Sequence, residues 1–218
     1  MSKSKSKQTV DTTVIMSKMD YEIAKRVYEY CLAIGLSDEE LSFLMGKRNK
    51  YYFDLLNPTE KDKIKTEQLD MLPAILELHI REIVPNNIKP GEQIKIHGSK
   101  KVSATKIVYR HTVVYPDGTE SAEIIWTKKV LKGERKQVNE SLHSAVSELV
   151  HDGYFGKQRN ALELYLTLKD KIKDLSFTPA DLQKSLAVLM NKKRQQPPLL
   201  ECKSDNARYG YYALNFIL

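Results

Sequence analysis

The chain has 218 residues, 41% hydrophobic and 29% charged, with a formal net charge of +7. That length allows one large or two small domains with real cores, and the basic balance favours an anionic partner. No run approaches the ~18 apolar residues of a membrane span, and no apolar stretch follows the N-terminal lysines, so neither a membrane protein nor a secretory leader is expected.

From the N-terminus, Met1 to Met19 is polar and repeats Ser-Lys, which reads as a disordered tail over 1–19. Tyr21 to Ile34 spaces Ile23, Val27, Cys31 and Ile34 as one helical stripe. Cys31 on that stripe reads as a buried thiol, not half of a disulfide with distant Cys202, and a reducing cytoplasm fits. A second helix is predicted from Ser37 to Met45. Ser37 and Glu40 have capping-box spacing, Leu36 and Leu41 can staple the start, and Gly46 stops it. A third helix spans Asn49 to Leu56, with Tyr52, Leu55 and Leu56 apolar at i, i+3, i+4.

Thr66 to Val84 predicts further helix, with Pro73 starting a new one or kinking it, and places His79 near the core. Pro85-Asn86-Asn87 and Lys89-Pro90-Gly91 then break the pattern and close a domain over 20–88. Beyond them the period becomes two. Gln93–His97, Lys106–Tyr115 and Ser121–Val130 alternate, and Pro116-Asp117-Gly118-Thr119 is a hairpin turn. Residues 89–137 are thus a basic β-hairpin segment, net +6, against −3 for residues 21–88.

Residues 138–218 return to helix. Asn139–Val150 is amphipathic, Tyr154-Phe155-Gly156 reads as a short extended piece, and Asn160 caps a helix. Thr178-Pro179-Ala180-Asp181 has the cap, the proline and the acid of a helix start. Leu199–Lys203 and Arg208–Phe216 form a hairpin around Ser204-Asp205-Asn206-Ala207. The fold class predicted is mainly α with a small antiparallel β segment.

Two resemblances follow from these residues. Gly35-Leu36-Ser37-Asp38-Glu39-Glu40-Leu41, with Tyr52 and Leu55 in place of an Ile pair, resembles the lambda repressor and Cro-like helix-turn-helix family over about residues 20–84. It implies an N-terminal helix-turn-helix bundle with Lys47, Arg48, Asn49, Lys50 and Tyr51 at the groove-facing end. Three positions depart from the family: Asp38 stands where a phosphate-contacting Gln is usual, Lys47 where an apolar residue seals the turn, and Asp54 where a DNA-facing group is common. The order helix, helix, helix, hairpin over about 139–218 resembles a winged-helix domain. It implies that Gln183, Lys184, Ser185 and Asn191 face outward, with Lys192, Lys193 and Arg194 at the helix end and Lys203 and Arg208 flanking the wing.

Five histidines have no metal-ligand spacing, and no phosphate loop or nucleophile elbow appears, so neither an enzyme nor a cofactor is expected. Lysines in and around the hairpin, with Lys100, Lys101 and Lys129 foremost, can track phosphates or simply solvate a sheet face. Two functions remain. One is a cytoplasmic, dimeric transcription regulator binding double-stranded DNA. The other is a protein-interaction module that keeps both folds and holds a partner through Phe53, Leu56 and the sheet.

Overall fold

The computed structural model describes residues 10–47, 51–55, 57–60, 63–103, 105–129, 137–191, 198–205 and 208–214. In chain order the elements are β1 (Val10–Ser17), α1 (Lys18–Ile34), α2 (Asp38–Leu44), α3 (Tyr51–Leu55), α4 (Thr66–Leu69), α5 (Leu72–Leu76), α6 (Ile80–Ile83), β2 (Gln93–Val102), β3 (Lys106–Val114) and β4 (Ile124–Lys129). Then come α7 (Glu140–His151), a 3-10 turn (Tyr154–Gly156), β5 (Arg159–Asn160), α8 (Ala161–Lys171), α9 (Pro179–Met190), β6 (Leu200–Asp205) and β7 (Arg208–Ala213). Of the described residues 44% are helical and 25% lie in strands. The expectation of a mainly α chain with a small β segment is overturned. The chain is a mixed α/β fold with two antiparallel sheets, of four and three strands. The β content exceeds expectation because β1 and β5 are recruited from segments with little strand signal of their own.

Two compact units form: Met1–Leu36 with Tyr52–Glu134, and Ser37–Tyr51 with Arg135–Leu218. The expected N-terminal helix-turn-helix bundle is also corrected. Its second helix, α2, belongs to the second unit, whereas Tyr52 and Leu55 of α3 are buried in the first.

In the first unit the strands lie in the order β1-β2-β3-β4. Val14 faces Ile96, Met16 faces Ile94, and Tyr109 faces Trp126. Alternation puts Met16, Ile94, Ile96, Tyr109, Val113 and Trp126 on one side, where they close on Tyr21 of α1. Residues 10–17, read as tail, are thus an edge strand. Ile23, Val27 and Cys31 are buried on α1 as their spacing predicts, but Ile34 is exposed. Residues 66–84 make three short helices instead of one long pattern. Pro73 sits in the first turn of α5, Glu77 takes a left-handed φ of 55°, and extended His79 caps α6 at the Arg81 N–H. His79 is therefore an exposed cap, not a core residue. At Gly98 a Cβ would lie 2.6 Å from Thr59 Cγ2, so any larger residue must displace the Thr59 side chain.

In the second unit the three-stranded sheet runs β5-β7-β6, all antiparallel. Helices α7, α8 and α9 supply Leu142, Val146, Leu164, Leu168, Leu182 and Leu186, each fully buried. Helix α2 packs on α8 and α9 and adds Leu41, Leu44 and Met45. Each helix start has its own cap. Asn139 accepts from the Leu142 N–H, while Asn160 with Glu163 and Thr178 with Asp181 form reciprocal capping boxes. Tyr154–Gly156 is a 3-10 turn, not the expected extended piece, entered through left-handed Gly153.

Candidate nucleic-acid interface

Helix α9 presents the clearest outward face of the second unit. It buries Pro179, Leu182, Ser185, Leu186 and Leu189. Ser185, expected to face outward, is therefore a core residue. Three to four residues apart on the opposite side stand Lys184, Ala187 and Asn191, with Gln183 and Val188 beside them. Lys184 Nζ lies 3.9 Å from Asp181 Oδ1, one turn back.

The hairpin β6–β7 flanks this unit. Lys203 lies opposite Gly210. Its ammonium bonds Glu201 at 2.6 Å and stands 5.7 Å from the centre of the Tyr212 ring. That ring is a diagonal cross-strand neighbour, and the Glu201 hydrogen bond raises the Lys203 pKa. Next to the hairpin runs the segment after α2. The Tyr209 N–H donates to Gly46 O at 2.8 Å, and Gly46 takes a φ of +65°. Sequence reading expected that glycine as a helix stop. A Cβ there would lie 3.6 Å from Arg208 Cβ, so Lys47 follows directly on a contact with the strand that carries Arg208. Lys47 Nζ stands 5.3 Å from the Tyr51 ring centre.

One of the three acids in the first turn of α2, Glu40, is engaged in structure. Glu40 Oε2 accepts from both the backbone N–H and the hydroxyl of Ser37, at 3.0 and 2.7 Å. Glu40 Oε1 accepts from the Ala180 N–H at 3.3 Å. One carboxylate thus serves the starts of two helices, where negative charge is favoured.

The first unit carries a second cationic surface. Lys95, Lys101, Lys106 and Arg110 are exposed, and the register puts them on the sheet face opposite the core. An open depression of about 320 Å³ crosses β1, β2 and β3, lined among others by Asp11, Thr13, His97, Ser99, Arg110 and Glu123. Arg110 pairs with Glu123 at 2.6 Å, and Thr13 Oγ1 lies 2.8 Å from His97 Nδ1. Lys100 lies half-buried, 5.6 Å from the Tyr109 ring centre.

Beneath the sheet lies a buried polar cluster. His111 Nε2 hydrogen-bonds the Tyr21 hydroxyl at 2.9 Å, and its ring meets Trp126 edge to face at 4.8 Å. His111 Nδ1 is buried with no hydrogen-bond partner. Burial first, then the Lys63 and Lys25 charges, push the imidazole down to about 4. Lys63 is itself buried, donates to Asn57 O at 2.7 Å, and is lowered to about 8 chiefly by desolvation. This cluster holds the sheet to α1 through the Tyr21–His111 bond.

Of the expected DNA-contacting residues, the second unit gathers Lys47, Tyr51, Gln183, Lys184, Lys203 and Arg208. The residues of the helix-turn-helix resemblance are thereby divided, with 37–51 in the second unit and the rest in the first. Lys100 and Lys101 lie on β2 of the other unit, and Lys129 closes β4 opposite Lys106. Arg48, Asn49, Lys50, Lys192, Lys193 and Arg194 lie outside the described residues, as do Leu56 and the Phe53 side chain. Arg110 belongs with the basic groups that the sequence clusters around the hairpin, whereas His97 and Thr13 were missed, because Thr13 sits on the strand hidden in the tail. Tyr212, whose signal was the β6–β7 register, was missed as well. Among the described residues, no group of three or more His, Cys, Asp or Glu is placed to hold a metal, and no helix is long and apolar enough to cross a membrane. The chain matches no family model, no curated protein and no solved structure.

Proposed function

We propose that the chain is a cytoplasmic transcription regulator that binds double-stranded DNA through its second unit, a winged helix, and pairs with a second copy of itself. The observation that carries this reading is the order helix, short strand, helix, helix, hairpin, closed as β5-β7-β6, with the open face of α9 beside a hairpin bearing Lys203 and Arg208. Helix α9 enters the major groove, and Lys47, Lys203 and Arg208 hold phosphates. One such helix reads few base pairs, and two-fold pairing doubles the site. The basic sheet of the first unit adds phosphate contacts that carry no sequence preference.

Fluorescence anisotropy with a random-sequence duplex tests this. Binding in the micromolar range that falls steeply between low and physiological salt is expected. Lys203→Ala and Arg208→Ala should each weaken binding uniformly across sequences and reduce the log–log salt slope by about 1. Absence of binding at low salt overturns the proposal. The second reading, a protein-interaction module, is favoured by two exposed apolar residues on the open sheet face, Ile15 at 60% and Ile125 at 46% exposure. It becomes the stronger reading if duplex DNA does not bind.

A further inference from the structure

The two edges of the four-stranded sheet differ. At β4 the outer edge is occupied by α1: the Thr127 N–H donates to the Tyr28 hydroxyl at 2.9 Å, and Thr127 O lies 3.5 Å from the same oxygen. At β1, among the described residues, no strand lies on the outer side. The Lys18 N–H donates to Glu92 O at 3.0 Å and continues the β1–β2 register, and backbone groups alternate in direction from there. Asp11, Thr13 and Ile15 therefore turn their N–H and C=O groups away from β2. Edge strands are usually blunted by lysine, proline or a bulge. Val10–Ser17 runs for eight residues in unbroken register with β2, with no proline, no lysine and one charge, Asp11. Ile15 on this edge is 60% exposed.

We infer that β1 pairs antiparallel with β1 of a second copy, joining two four-stranded sheets into one continuous sheet across a two-fold axis. Such pairing requires the strand to match itself in reverse. Centred on Val14, the register sets Thr13 opposite the partner's Ile15, Thr12 opposite the partner's Met16 and Asp11 opposite the partner's Ser17. Opposed side chains then always share a sheet face. The outward backbone groups of Thr13 meet those of the partner's Ile15 as a hydrogen-bonded pair. The two Asp11 carboxylates end about 20 Å apart along the ladder, so no like charges face each other. The inference names the surface for the self-pairing proposed above and rests on that pairing, not on DNA binding.

Sedimentation equilibrium of the full chain tests this, with about twice the 25.1 kDa mass of one chain expected. Ile15→Lys places a charge on the edge, and Thr13→Pro removes an N–H that takes no part in the β1–β2 ladder. Each should weaken the dimer about tenfold or more, while circular dichroism stays that of the parent. Ile125→Lys, on the open face of β4, should leave dimerisation unchanged. Val14→Cys, combined with Cys202→Ser, should form a disulfide-linked dimer on oxidation, because residues facing across a non-hydrogen-bonded antiparallel pair have Cα atoms about 4.5 Å apart. A dimer that survives both Ile15→Lys and Thr13→Pro, that dissolves with Ile125→Lys, or that Val14→Cys does not cross-link overturns the assignment to this β1 register and leaves self-pairing standing. A monomer at every concentration reached removes self-pairing as well, leaves the edge to an extended segment of another protein, and leaves duplex binding to be read separately by anisotropy.

Discussion

At the scale of single residues, His111 couples the fold of the first unit to pH. Its folded pKa of about 4 lies below the ordinary histidine value, so the buried ring is neutral where the unfolded chain already takes up a proton. The sign is therefore fixed. Stability is complete above about pH 6.5 and is lost as pH falls toward 4, at about 1.4 kcal/mol per unit from this group. Urea midpoints measured across that window should fall steadily. In His111→Phe the decline should be shallower, because the replaced ring has no proton to refuse. Parallel declines in the two proteins would mean that another group carries the pH dependence. Neither the burial nor the Tyr21 partner was legible in sequence, since a histidine within an alternating strand gives no sign of which side faces the core. The register supplies that, pairing His111 with Gly98 and Ile124.

At the scale of elements, local chemistry was readable and long-range partners were not. The Ser37–Glu40 box lies where its spacing put it, as do the caps at Asn160 and Thr178, because capping is decided within four residues. The Pro116–Thr119 turn was equally plain; the Asp117 carboxylate accepts from both the Thr119 N–H and hydroxyl. Strand β1 was hidden because its alternation is short and borders a Ser-Lys repeat; only pairing with β2 stabilises it. Helix α2 illustrates the same limit. Its cap was evident, but its packing on α8 and α9 depends on residues far along the chain, from Ala161 onward. Removing the cap should therefore affect the second unit. Ser37→Ala is expected to cost about 1 kcal/mol in urea unfolding. Glu40→Ala should cost at least as much, since the N–H groups of both Ser37 and Ala180 lose an acceptor. A smaller loss for Glu40→Ala than for Ser37→Ala would show that the bond to α9 contributes nothing.

At the scale of the whole molecule, the segment read in sequence as one helix-turn-helix domain is divided between the two units. The helix-turn-helix signature and the helix-hairpin order read as separate domains in sequence because neighbours in the chain usually pack together. Residues 37–51 depart from that pattern by completing the core of the second unit with Leu41, Phe43, Leu44 and Met45, none more than 4% exposed. A fragment spanning 135–218 lacks those side chains. Losing several buried Leu- and Met-sized groups at about 2–5 kcal/mol each exceeds the stability of a typical small domain. The fragment should accordingly show poor dispersion in amide NMR spectra, and adding a peptide of residues 37–51 should restore folded resonances. A fragment that folds cooperatively unaided would show that α2 is dispensable to the core.

The interleaving of the two units also sets an order of assembly during synthesis. A ribosome adds about 5–20 residues per second and releases the chain from its N-terminus. Strand β1 must wait for β2, about 80 residues later, before its edge is paired. Helix α2 waits longer, since the Ala180 N–H that Glu40 accepts lies 140 positions on. For several seconds Leu41, Phe43, Leu44 and Met45 are on a nascent chain with no core to enter. The first unit has all of its residues before α8 and α9 exist, so α2 must stay uncommitted while its flanking segments fold. The α9 face is thus among the last parts of the protein to form, and a chain truncated before α9 would leave that apolar segment uncovered.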